Sequence, residues 1–267
     1  MESIKNWEPD YSKKIKTTLT TVEGYLENRY GKHWQEEIFL AGKSLKTKEN
    51  VELKRYIYEN LEKDGETTAI ACIFFLGVTD TEACNLCFKD IVEMKFYPGT
   101  YTIDVTGDEP SYGKRKHVPR RIPLTDEQHG FFVKRMKIIE ERTGESALNY
   151  PVACKGNNYK EKCFPEDIYQ KADQIRKCIN LREEPLLLLL YDSTTGENPY
   201  DEDNPITYML RATAATRLYV AGASSPESQY YMGHDISDTR YTPSDFLDED
   251  YLFAIKKKLE ENPWKDL

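Results

Sequence analysis

The sequence predicts a mainly helical α+β fold carrying one small antiparallel sheet. Apolar residues recur at helical spacing in several stretches, most of them closed by glycine. Period-two alternation is confined to two short segments, Tyr101–Thr106 and Arg121–Leu124. With 267 residues, 39% of them hydrophobic and 31% charged, the chain has the composition of a globular protein with a core.

Residues 1–43 are polar and aromatic, with helical stretches expected around Lys14–Arg29 and His33–Leu40. They read as a short N-terminal segment, a remnant or part of an arm, ahead of a main domain over 44–267. From Asn50 the stripe Val51, Leu53, Tyr56, Ile57 and Leu61 predicts a helix, ended by Asp64-Gly65. Thr67–Leu76 is apolar on all sides, as a buried helix is, and Gly77 stops it. Helix is expected again over Thr81–Val92. The two alternating segments flank a basic stretch, so a hairpin carrying positive charge is expected between them. Asp126–Arg142 is an amphipathic helix, and residues 150–165 read as loop.

Pro165 opens a further helix to about Leu181. Leu186–Leu190 fits a buried strand or a short helix, and 192–205 is an acidic surface loop. Thr207 is the expected N-cap of a helix reaching Val220, with Gly222 as its stop. Ser225-Pro226 begins the next helix, which Gly233 ends. Asp248–Leu259 closes the chain with Lys256, Lys257 and Lys258 near its negative end.

Composition narrows the function. There is no run of eighteen apolar residues to span a bilayer, and the N-terminus lacks the apolar core of a secretory signal, so a cytoplasmic, non-membrane protein is expected. Of six cysteines, Cys84 and Cys87 form a C-x-x-C that Cys154 and Cys163 could complete as a zinc site. The first pair falls in a helical pattern and the second is spaced too widely for a knuckle. Buried thiols, with no metal, are the expectation. The formal net charge is −9, against the basic footprint of a nucleic-acid binder. Charge is segregated, however. Residues 111–121 hold five basic side chains and no acid (Lys114, Arg115, Lys116, Arg120 and Arg121), whereas 192–203 hold five acids and no base. A DNA-binding face can survive on the first stretch.

The chemistry-bearing pattern lies in Tyr208-Met-Leu-Arg211-Ala-Thr-Ala-Ala-Thr-Arg-Leu-Tyr-Val-Ala-Gly222, followed by Ser-Pro-Glu-Ser-Gln-Tyr-Tyr-Met-Gly233-His234 and then Asp-Ile-Ser-Asp-Thr-Arg-Tyr241. In order and spacing it resembles the catalytic domain of the tyrosine recombinases (the phage-integrase family): an H-x-x-R box, a glycine, a short helix, G-H and a tyrosine. Upstream, Gly77-Val-Thr-Asp-Thr-Glu82-Ala-Cys-Asn-Leu86 resembles the family's first box, G-L-R-x-S-E-x-x-x-L. The likeness covers about residues 45–260, weakly outside these boxes.

That resemblance implies a tyrosine-recombinase-like fold and a site-specific recombinase or integrase that cleaves and rejoins DNA through a phosphotyrosine link. It implies double-stranded DNA as partner, copies of the chain assembled on it, and no cofactor. A tyrosine hydroxyl attacks a phosphodiester, two arginines clamp the non-bridging oxygens, and a hairpin lysine protonates the departing 5′ oxygen. Carried over, Tyr241 is the nucleophile, Arg211 the second arginine and His234 the histidine of the G-H box. Lys114, nine residues before Pro123, is the hairpin lysine, with Lys116 as alternative. Two positions depart: Thr79 stands where the first arginine belongs and Tyr208 where the box histidine belongs. Losing one preorganised donor of charge typically costs roughly 10²–10³ in rate, so slow or absent cleavage is expected. A basic side chain from elsewhere, such as Lys89 or Arg115, would have to fill the place left at Thr79.

Each of these residues has an ordinary structural role as well. Arg211 could cap a surface, although a cation in a helix's first turn is disfavoured by the dipole; Gly77, Glu82 and Leu86 fit plain helix packing. Three readings remain at this point: an active recombinase, a catalytically inactive relative that binds DNA or regulates a partner, and an interaction protein with no DNA role.

Overall fold

In the computed structural model, the described residues are 44–45, 47–106, 119–179, 205–234, 236 and 243–261. They form a mostly helical fold with a small antiparallel sheet, as expected. The expected N-terminal segment 1–43, Leu186–Leu190 and nearly all of the acidic loop lie outside them.

The fold is built around α2 (Glu66–Leu76), in which every residue from Thr67 to Leu76 is buried. It is apolar all round because it is enclosed all round: α1 (Thr47–Asn60), α5 (Pro165–Ile179), α6 (Pro205–Val220) and β4 (Cys154–Lys155) all pack on it. Gly77 ends α2 in the left-handed conformation at φ 66 and donates its N–H to the Ile73 carbonyl. A Cβ there would also lie 2.8 Å from the Met232 sulfur, so glycine is required twice over.

α3 (Asp80–Asn85) follows, capped by Thr79. The helix expected as far as Val92 stops at Asn85. Cys87 turns extended, a short 3₁₀ turn spans Phe88–Asp90, and Ile91–Glu93 becomes strand β1. Ile91 and Val92 are β-branched, and the neighbouring β2 (Tyr101–Val105) offers them an antiparallel ladder, with Ile91 opposite Ile103. β3 (Arg120–Pro123) pairs on the other side of β2, so the sheet has three strands rather than one hairpin. Residues 150–165 also correct the expectation of loop: β4 and β5 (Asn158–Lys162) form a second, two-stranded ladder there.

α4 (Asp126–Thr143) is capped by a reciprocal Thr125–Gln128 box and closed by Gly144. α6 begins at Pro205, two residues before the expected cap. α7 (Ser225–Met232) is capped by Ser224, with Glu227 returning the bond, rather than by Ser225. α8 (Glu249–Glu261) packs on β3 and α6. None of the described helices is long and apolar enough to cross a membrane.

Candidate functional site

The ends of α2 and α7 meet one side of α6, and their carbonyls point at an arginine. Arg211 donates Nη1 to the Gly77 carbonyl at 2.9 Å and Nη2 to the Met232 carbonyl at 2.6 Å. Both acceptors sit at the negative ends of helices, where a guanidinium is favoured. Since α6 starts at Pro205, Arg211 lies in its second turn, not the first, and the expected conflict with its own helix dipole is relieved. Its Nη2 is 3.3 Å from Nε2 of His234, which follows Gly233 out of α7. The arginine side chain is 14% exposed and His234 is exposed, so this pair reaches the surface.

Behind the pair lies a carboxylate. Glu82, on α3, has a side chain with no exposure and accepts from Arg120 of β3 at 2.5 and 3.0 Å. Arg211 Nη1 stands 3.9 Å from the same carboxylate. Burial pushes the Glu82 carboxyl upward, but the Arg120 hydrogen bonds and the charges of Arg120 and Arg211 outweigh it, so the group is held below its usual range. Arg120 also donates Nε to the Tyr231 carbonyl at 2.7 Å.

The structure brings Arg211 and His234 together, and places Thr79 close behind them as the cap of α3. The Thr79 hydroxyl accepts the Glu82 N–H at 3.1 Å, while its own N–H donates to Glu82 Oε2 at 2.9 Å. Tyr208 is half-buried on α6, one turn before Arg211. Arg120, expected on the DNA-facing basic stretch, is instead 4% exposed and bonded to Glu82; this corrects the expectation. Strand alternation is the reason. Arg120 shares a face with the core residue Ile122, whereas Arg121 turns outward and pairs with Asp104 at 2.7 Å. Lys114, Arg115, Lys116 and Tyr241 lie outside the described residues.

Sequence reasoning missed the Glu82–Arg120 pair. Thr79-x-x-Glu82 is a readable capping box, and the register of Arg120 with Ile122 was available from period two. What no local signal gave was their meeting, 38 residues apart.

The cysteines are free thiols, but buried as expected only at four positions; Cys87 is half-buried and Cys178 exposed. Cys84 and Cys163 are buried with sulfurs 3.6 Å apart, and Cys72 and Cys154 are buried as well. The hydrogen bond with Cys84 and then burial push the Cys163 thiol up. Cys87 has left the helix in which the sequence placed it and is only half-buried. Among the described residues no group of three or more His, Cys, Asp or Glu side chains is arranged to hold a metal.

No protein-family model matches the sequence, and no curated protein sequence does either. Among solved structures, the backbone is similar to the XerH site-specific recombinase bound to its difH substrate in a pre-cleavage complex. The TM-score is 0.47 and the identity 19%, over 72% of this chain and 47% of that one. For the post-cleavage complex of XerH with palindromic difH the TM-score is 0.48 and the identity 19%, over 79% of this chain and 53% of that one. The chain thus spans about half the length of the solved structures it matches.

Proposed function

We propose that this chain is a tyrosine-recombinase-like protein that binds double-stranded DNA and seats one backbone phosphate between Arg211 and His234. The supporting observation is their 3.3 Å contact at the surface. Two residues singled out by separate sequence boxes, 23 positions apart, meet where the carbonyls at two helix C-termini hold the guanidinium in place. A guanidinium and an imidazole side by side suit the non-bridging oxygens of a phosphodiester.

In this reading Tyr241 is the nucleophile. Its phenol oxygen gives up its proton, assisted by His234, and bonds to phosphorus as the bond to the 5′ oxygen breaks; Lys114 supplies a proton to that oxygen, and religation reverses the step. The basic residues 114–116 and Arg121 contact flanking phosphates. Copies of the chain assemble on DNA in the cytoplasm, with no cofactor.

One observation favours a second reading, in which the site binds DNA but no longer cuts it. Thr79 stands at the first-arginine position and its groups serve the α3 cap, so it adds no charge there. Lacking that cation, cleavage should be slower by roughly 10²–10³ or more.

A nicked duplex that traps the covalent intermediate separates the readings. A protein–DNA adduct that vanishes in Tyr241→Phe supports slow catalysis. Salt-dependent retention without adduct supports binding alone, and neither adduct nor retention at low salt refutes both.

A further inference from the structure

The groups that hold Arg211 are themselves held by Arg120. Arg120 Nε bonds the Tyr231 carbonyl and Arg211 Nη2 bonds the next one, that of Met232, so two guanidiniums grip successive carbonyls in the last turn of α7. Both also face Glu82: Arg120 across a two-pronged contact at 2.5 and 3.0 Å, Arg211 at 3.9 Å. The carboxylate has no exposure and the Arg120 side chain 1%, so neither touches solvent or anything bound at the surface. The turn that carries His234 is shaped around the same guanidinium. Gly233 has φ 74, and a Cβ there would lie 2.5 Å from Arg120 Nη1, so only glycine lets the arginine pass beneath the histidine.

We infer that Arg120 is a positioning residue: with Glu82 and the end of α7 it fixes the Arg211 guanidinium and the His234 imidazole in the geometry that meets a phosphate. It also ties that geometry to β3, the strand that follows the basic stretch 114–116. A planar fork against a carboxylate fixes direction as well as distance, which a lysine ammonium does not. Pre-set direction matters because a misplacement of about 1 Å at a reacting group can cost about 10²-fold in rate. The inference rests on the proposed function for the identity of the ligand, but not for the contacts themselves.

The test uses the full chain labelled with ¹⁵N-arginine, its Arg211 Nε–H signal assigned by its loss in Arg211→Lys. Arg120→Met alone leaves the buried carboxylate with only the distant Arg211 and the Thr79 N–H and is liable to unfold, so the decisive variant is R120M/E82Q, which removes both charges. The inference expects that signal, and the His234 ring signals, to move toward free-side-chain positions and broaden in the double variant. Arg120→Lys, which keeps charge without the fork, should give a smaller shift of the same sign. On the nicked duplex, adduct formation per folded molecule at saturating DNA should fall by about a hundredfold, with affinity little changed. A lowered melting temperature with the Arg211 and His234 signals unmoved would overturn the inference, leaving Arg120 a structural residue only. Should the wild type neither bind duplex nor form adduct, the proposed function fails, and the arginine signals still decide the positioning role.

Discussion

Among the described residues two arginines are buried, and they are compensated in different ways. Arg120 on β3 is 4% exposed and meets the Glu82 carboxylate. Arg135 on α4 has no exposure, and its partners among the described residues are neutral: the Leu61 carbonyl at 2.6 Å, the Cys154 sulfur at 3.4 Å and the Tyr159 ring. Its Nε has no hydrogen-bond partner among the described residues. One charge lies beneath the Arg211–His234 pair, the other beside the buried thiols. A buried ion pair is weak evidence of stability, whereas a two-pronged arginine–carboxylate contact fixes direction. The contrast teaches that Arg120 is held for direction, whereas Arg135 is a long side chain filling core space with its charge only partly answered.

The sharpest way to break this contrast is to remove each arginine in turn. Arg120→Met strands a buried carboxylate and should cost about 3–5 kcal/mol in urea unfolding. Arg135→Met strands no opposite charge but leaves the Leu61 carbonyl without its donor, and should cost less, about 1–3 kcal/mol. Equal losses at the two sites would end the distinction.

Gly233→Ala should come next in size, near 1–3 kcal/mol, because it forces a side chain into the left-handed region and against Arg120. Gly144→Ala, also left-handed but with open space around it, should cost less.

Acid sharpens the contrast further. The Glu82 carboxyl is held below its ordinary range in the folded protein, so its contribution is present at neutral pH. That contribution is lost as pH falls through the acid end of the carboxylate range. Glu82→Gln should flatten this part of the stability curve, while Arg135→Met should leave its shape alone. An unaltered acid limb in Glu82→Gln would contradict the pairing.

The smallest effect belongs to the thiol side, where a chelator should leave the melting temperature unchanged. A drop would revive the four-thiolate site that Cys84, Cys87, Cys154 and Cys163 spell in sequence.

Much of this was legible before the structure. Gly77, Gly222 and Gly233 all have positive φ, at the helix stops that the pattern marks. The apolar run of α2 fixed its place at the centre, and the boxes around 211 and 234 anticipated a pair that does meet. Illegible parts were those decided by partners distant in sequence. Ile91–Glu93 is a strand because β2 lies beside it, and 154–162 became a ladder through local pairing that short polar strands do not advertise. Arg120 looked like its neighbours in a basic run. Composition is blind to which of two adjacent arginines faces the core, and only register with Ile122 separates them.

The central claim is that Arg211 and His234 form the phosphate seat. Titrating a short nicked duplex into protein labelled at arginine and histidine tests it most directly. The account predicts that the Arg211 Nε–H and His234 ring signals move together as duplex binds, with a salt-sensitive midpoint, while the Arg135 signal stays in place. Binding that shifts other arginines and leaves 211 and 234 untouched would contradict it.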